Sequence, residues 1–202
     1  MKMKTNKEVR NFSTEIRLLD NESRLVHGLA IPVGQRSELL ADEFYEIIAP
    51  TALTDEFIQS QDISLYINHD MSQGTYARSK YGVGSLKLYV TERGLEFETE
   101  LPQTVFGDAL LEGIKRGDYD SMSFAFFVGN DEWSQNEDGY YTRTILSFDQ
   151  ISECSILSVA PAYSQTHVDL RSLQEIKDKN TKSIIDRLNN VVNEINILSK
   201  PI

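Results

Sequence analysis

One cysteine and three histidines are all that these 202 residues contain, which leaves little to hold a transition metal. A structural zinc site draws four ligands from clustered Cys and His. Here His27, His69 and His167 stand apart, no HExxH or CxxC spacing occurs, and Cys154 is alone. No metal is expected. The lone cysteine also excludes an internal disulfide and fits a reducing compartment. Its setting, ISECSIL, has the pattern of a strand, which favours a buried, inert thiol over a nucleophile.

Other absences narrow the function further. GVGS at Gly82–Ser85 lacks both the lysine and the strand-to-helix setting of a phosphate loop, and no GxSxG elbow is present. No cofactor is therefore expected. Lys and Arg are not clustered and the net charge is −11, which argues against a nucleic-acid surface, because neutralising phosphates needs grouped cations. The acidity is spread along the chain, as a solvated surface requires. The opening MKMKTNKEVRNF lacks an apolar signal core, and no window is long and apolar enough to span a bilayer, so neither a signal peptide nor a membrane is expected.

What is present is a succession of short alternating segments. Residues 12–19 (FSTEIRLL) read as a strand, with a turn at 20–22 and a hairpin partner at Arg24–Ile31 that Pro32 ends. Glu43–Ile48 is ambiguous. Thr51 is a plausible N-cap for a short helix containing Leu53, Phe57 and Ile58. Ile63–Ile67 forms a compact strand that delivers Asn68-His69-Asp70 at its end. Val83–Val90 and Leu95–Leu101 alternate around a TERG turn. Thr104–Arg116 has helical spacing, with Gly117 as its C-terminal stop. Two further strands are expected at Tyr140–Phe148 and Gln150–Val159, the second stopped by Pro161. Many strands with one clear interior helix imply an α+β fold, a mostly antiparallel β barrel with peripheral helices, rather than alternating βαβ units.

From about Ser172 the composition changes. Ile185, Leu188, Val192 and Ile195 make one stripe of an amphipathic helix. It is too short to be stable alone. The polar stretch Lys177–Ser183 (KDKNTKS) has the composition of a flexible linker before it. The expected organisation is thus a folded domain over 12–171 and a helical tail or interaction segment over 172–202. The helix would pack on the domain or on another copy, so a homo-oligomer stays open.

The segment GDYDSMSFAFF, Gly117–Phe127, poses a chemical question. Alternation places Met122, Phe124 and Phe126 on a core face, and Ser121, Ser123, Ala125 and Phe127 on the other. Two hydroxyls are thus held beside a packed interior. The ordinary reading of Ser123 is a strand hydroxyl bonded to backbone, and that of His69 a surface-loop histidine. Neither points to a function by itself.

The combination does. NHD at Asn68–Asp70, GSLKLYVTERGLEFETELP at Gly84–Pro102, RGDYDSMSFAF at Arg116–Phe126 and ISECSILSVAPAYSQTHV at Ile151–Val168 occur in that order. Together they resemble the tailed-bacteriophage prohead maturation proteases, serine peptidases similar in fold to the herpesvirus assemblins. The resemblance covers roughly residues 12–171. It implies that His69 matches the family's catalytic histidine and Ser123 its nucleophile, with Ser121 the neighbour on the same face.

A serine hydroxyl needs an adjacent base, and the histidine needs an acceptor that fixes its tautomer. Glu153, in SECS, is the candidate for that third role. His167 is the alternative suggested by the assemblins, which use a second histidine there. Asp70 is a weaker one, because adjacent residues on an extended chain point apart. The implied activity is a serine endopeptidase that cleaves scaffold and major capsid protein precursors, and itself, inside the procapsid in the host bacterial cytoplasm. The alternative is a noncatalytic capsid-assembly or scaffold protein that keeps the fold and uses its helical tail for interaction.

Overall fold

A computed structural model describes residues 6–19, 23–158 and 171–198. Strand β1 (Glu8–Ser13) begins earlier than the alternation suggests, and β2 (Ile16–Leu18) follows it after a break. The expected strand over 12–19 is therefore two strands in different sheets. The chain turns at Thr14, whose N–H donates to Asp120 O at 2.9 Å. Strand β3 (Leu25–Pro32) pairs antiparallel with β2 as the hairpin reading expects; the turn at 20–22 lies outside the described residues. The ambiguous segment becomes β4 (Phe44–Ile48).

The first helix is capped by a different threonine from the one expected. Pro50–Ala52 form a single 3₁₀ turn, and α1 (Asp55–Gln59) starts after Thr54, whose hydroxyl accepts from Phe57 N at 3.1 Å. Thr51 and Thr54 carry the same capping group, and only the local backbone conformation chooses between them.

Strands β5 (Asp62–Ile67), β6 (Ala77–Lys80), β7 (Val83–Gly84), β8 (Lys87–Thr91) and β9 (Gly94–Glu100) come next. The expected strand over 83–90 is split between β7 and β8, again in different sheets. Helix α2 (Val105–Arg116) matches its reading: the Thr104 hydroxyl caps it, and Gly117 ends it in the left-handed region at φ 78°, where a side chain is strained. That turn feeds directly into β10 (Ser121–Gln135), which pairs along its length with β11 (Tyr141–Leu157). The two strands expected at 140–148 and 150–159 are this one strand. Its pairing with β10 shifts register near Phe148 and Gln150, a bulge that the alternation registers as a break.

Two sheets result. One runs β1-β10-β11-β5-β6-β7, with β4 also paired to β11; the other runs β2-β3-β9-β8. The first and last strands of neither sheet pair with one another, so the expected barrel is not closed. Alternation reports which face of a strand is buried, whereas closure depends on tilt and stagger around a whole sheet. The α+β class stands, with β4 and β5 running parallel to β11 and every other ladder antiparallel.

The two sheets share one apolar core. Val26, Ala30, Leu95 and Phe97 of the smaller sheet belong to the same buried cluster as Met122, Phe124, Phe126 and Ile156 of the larger. Under β10 the aromatic rings interlock. Phe124 stacks on Phe126 at 5.1 Å, Phe12 meets Phe124 edge-on at 6.3 Å, and Phe148 meets Phe126 edge-on at 5.2 Å. Offset and edge-on pairs of this kind add to simple area burial, so the strand that carries Ser123 is anchored from below.

A second anchor is ionic. Glu8, Arg10, Glu46 and Arg143 are each at most 6% exposed. Arg10 grips Glu46 with two hydrogen bonds of 2.7 Å and Glu8 with one of 2.6 Å. Arg143 reaches both Glu8 oxygens at 2.9–3.0 Å and Asp131 at 2.7 Å. Burial works against the charge of Arg10 and Arg143, but the surrounding carboxylates overcome it and raise both guanidinium pKa values. The network ties β1 and β4 to the β10–β11 hairpin.

By its contacts the chain divides into compact units at 1–168 and 169–202. The second contains α3 (Arg171–Leu198). Lys177–Ser183, expected as a linker, lies inside this helix, since Lys and Asn are tolerated in a helix interior even where they resemble linker composition. Ile185, Leu188 and Val192 of the expected stripe are exposed, as are Ile184 and Val191; the Ile195 side chain lies outside those described. No described helix is long and apolar enough to cross a membrane.

Candidate active site

Strand order brings the site together. β10, β11 and β5 are neighbours, with Ser123 opposite Ser155 and Ser155 opposite Tyr66. Glu153 lies two residues before Ser155 and so shares its face. His69 follows the end of β5. Both Asn68 and His69 have left-handed backbone, with φ 50° and 59°, a costly conformation for residues with a Cβ. Asn68 holds the turn in place: its N–H donates to Ile156 O at 2.9 Å, its amide donates to Ser158 Oγ at 3.1 Å, and its Oδ1 accepts from Ser158 N at 3.1 Å. The tight turn swings the imidazole back over β11.

The resulting contacts form a chain. His69 Nδ1 is 2.7 Å from Glu153 Oε1, and His69 Nε2 is 2.8 Å from Ser123 Oγ. A carboxylate can only accept, so the Nδ1 proton belongs to the Glu153 contact and Nε2 is left as the acceptor for the Ser123 hydroxyl. Ser155 Oγ lies 3.3 Å from Nδ1 and gives the same edge of the ring a second polar neighbour. The His69 hydrogen bond holds the Glu153 carboxyl below the usual glutamate range; burial opposes this, and the Lys7 ammonium, 3.8 Å away, assists it.

The other expected residues fall elsewhere. Ser121 is fully buried and its hydroxyl donates to Asp120 Oδ1 at 2.9 Å, one strand repeat, about 6.6 Å, along from Ser123. Asp70 is not behind the imidazole. It caps the next turn, accepting from Ser72 N at 2.9 Å and from Gln73 Nε2 at 2.9 Å, and the Ser72 bonds lower its pKa. His167 lies outside the described residues. His27 sits on the smaller sheet, 2.9 Å from Glu96. Cys154 points into the core, where burial pushes its thiol up to about 12; it stays protonated and inert. Among the described residues no group of three or more His, Cys, Asp and Glu side chains is placed to hold a metal ion.

Two features of the site are not legible in the sequence. Ser123 is fully buried, with the imidazole 31% exposed beside it. The N-terminal segment also approaches the site: Lys7, just before β1, stands near Glu153, and Asn11 of β1 is paired directly opposite Ser123. The alternation E8-V9-R10-N11 was the available signal for this strand, and its charged members disguise it, because Glu8 and Arg10 are buried only by virtue of one another and of Glu46 and Arg143.

A serine hydroxyl, an imidazole and a carboxylate in hydrogen-bonded sequence have the chemistry that acyl transfer requires, and the comparisons with known proteins agree with a serine protease. The family model of the caudovirus prohead serine proteases matches residues 12–180. The chain belongs to that family, the serine proteases of capsid maturation. The solved structure of the bacteriophage T4 capsid assembly protease, gp21, is similar in fold, with a TM-score of 0.50 and 8% identity over 76% of this chain and 98% of that one. No curated protein sequence matches the chain.

Proposed function

We propose that Ser123, His69 and Glu153 form the catalytic triad of a prohead endopeptidase. The observation that carries this reading is the unbroken run of contacts from Ser123 Oγ through the imidazole to Glu153, at 2.8 and 2.7 Å. His69 Nε2 takes the Ser123 proton as Oγ attacks the scissile carbonyl carbon. Glu153 stabilises the imidazolium so formed. That proton then passes to the leaving amine, the acyl-enzyme remains on Ser123, and water attacks it by the same path in reverse. Because Ser123 is fully buried, the side chains over it give way before a carbonyl reaches the hydroxyl.

The substrates are the scaffold and major capsid protein precursors inside the procapsid, together with the protease itself. Segment 172–202 serves as an interaction tail that brings the enzyme to them. A noncatalytic assembly protein with this fold would have no need of a histidine bracketed by a serine and a carboxylate, and the two contacts give that alternative no support.

Coexpression with the capsid and scaffold proteins of the same phage tests the reading. Wild type shortens them, as seen by gel and intact mass, while Ser123→Ala leaves them whole at unchanged melting temperature. Processing retained by Ser123→Ala and lost in Ser121→Ala would move the nucleophile to Ser121.

A further inference from the structure

Acyl transfer at Ser123 needs more than a base. When Oγ bonds to the carbonyl carbon, the C=O π pair moves onto oxygen, and that oxyanion requires hydrogen-bond donors placed in advance. We propose that the side-chain amide of Asn11 is such a donor, an assignment that rests on Ser123 being the nucleophile.

Position is the first ground. Asn11 of β1 is the direct partner of Ser123 in the antiparallel ladder. Directly opposed residues share a face, with Cβ atoms about 4.5–5.5 Å apart. Ser155 is the partner of Ser123 on its other side, and the His69 ring approaches from there, with Nδ1 3.3 Å from Ser155 Oγ. Ser123 is therefore flanked by its base on the β11 side and by a carboxamide on the β1 side. This is the disposition acyl transfer needs, since the oxyanion develops away from the group that takes the proton.

The second ground is that the Asn11 side-chain oxygen is not engaged elsewhere in the fold. Among the described residues, Asn11 Oδ1 is the buried side-chain polar atom without a hydrogen-bond partner. Such atoms are rare, because they forgo the hydrogen bonds that water would give them, and each calls for an explanation such as a catalytic role. Asn11 as a whole is only partly buried, so its carboxamide is open to a substrate carbonyl. β1 itself is not free to drift: Glu8 and Arg10, on either side of Val9, are locked into the buried ionic network. The donor is thus held on a rigid strand. Asn11 lies one position before the segment that the family match covers, so that match does not bear on it.

A phosphonyl fluoride tests the assignment on the full chain. Ser123 Oγ displaces fluoride from phosphorus, the Oγ proton goes to His69, and the P=O oxygen occupies the position of the oxyanion. Labelling rates are measured by mass spectrometry for wild type, Asn11→Ala and Asn11→Leu, with melting temperatures alongside. Alanine leaves a space and leucine fills it, so packing effects differ between the variants while the lost donor is common to both. The expected result is a slowing of about 10²–10³-fold in each, with melting temperature unchanged or raised because the removed oxygen bonds to nothing. Labelling within threefold of wild type by either folded variant overturns the role of Asn11. Wild type that fails to label at Ser123 overturns the nucleophile assignment instead, and that outcome is read from the wild-type sample alone.

Discussion

Glu153 Oε1 and His69 Nδ1 lie 2.7 Å apart although 84 residues separate them. The contact is made possible by the parallel pairing of β5 with β11. Ile67, the last residue of β5, is level with Ile156, so the left-handed turn after it returns His69 over the strand that carries Glu153. The carboxylate then decides which imidazole nitrogen faces Ser123.

Glu153→Gln tests that division of labour. The amide can hold the ring but cannot stabilise an imidazolium, and it can stabilise the wrong tautomer. The turnover rate should fall by up to about 10⁴-fold, yet stay above that of Ser123→Ala. Single-turnover rates of precursor cleavage distinguish the two. A silent Glu153→Gln with a severe His167→Ala would assign the third position to His167.

The same residue predicts a pH dependence of stability. The folded pKa of Glu153 is lowered, chiefly by the His69 hydrogen bond. Its contribution is therefore fully present above the unfolded glutamate value of about 4.3 and is lost as pH falls through the lower folded value. Urea midpoints of wild type and Glu153→Gln should differ most above about pH 4.3 and converge on further acidification. A difference that grows on acidification would contradict the direction of the shift.

His69→Ala should abolish processing as completely as Ser123→Ala, and the double variant should be no worse. Members of one catalytic unit are non-additive because each is useless without the other. Multiplying losses in the measured rates would mean that the two residues act independently.

The buried ionic network should dominate stability around β1. Arg143→Ala leaves Glu8, Glu46 and Asp131 short of a partner in a site where Glu8 is 1% and Glu46 4% exposed. Removing one member of such a network costs about 3–5 kcal/mol, measurable as a drop in the urea midpoint. Hydrogen exchange should rise first along β1, if that strand depends on the network for its place.

Shortening the chain tests the tail. A chain ending at Asn180 keeps every residue of the family match and loses the exposed Ile184, Ile185, Leu188, Val191 and Val192. It should stay folded and label at Ser123 as fast as the full chain, while being poorly incorporated into procapsids. Unfolding on truncation would mean that these side chains complete a core.

The limits of β5 and α2 could be read from residues alone, because each depends on local chemistry, whereas Ser123 and His69 stand out as candidates only through the family resemblance of the motifs that hold them. Alternation marks the strands, Thr104 and Gly117 bracket a helix, and NHD and MSF are short motifs. The candidacy of Glu153 rests on what an imidazole requires rather than on any spacing. Strand boundaries failed where the chain passes between sheets, at Thr14 and after Gly84, since alternation continues through such a crossing. The barrel failed because closure is a property of a whole sheet.

What tertiary structure alone decided is which distant residues meet. Ser121 and Ser123 are equivalent in pattern, and only the place of β10 beside β11 and β5 sets His69 against one and Asp120 against the other. Glu8 and Arg10 look like surface charges until Glu46 and Arg143 surround them. Asn11 becomes a partner of Ser123 only when β1 joins the edge of the sheet. Local sequence sets backbone preference and the burial pattern of each strand. Register between strands far apart in the chain is set by the packing of all of them at once, and the chemistry of this site depends on that register.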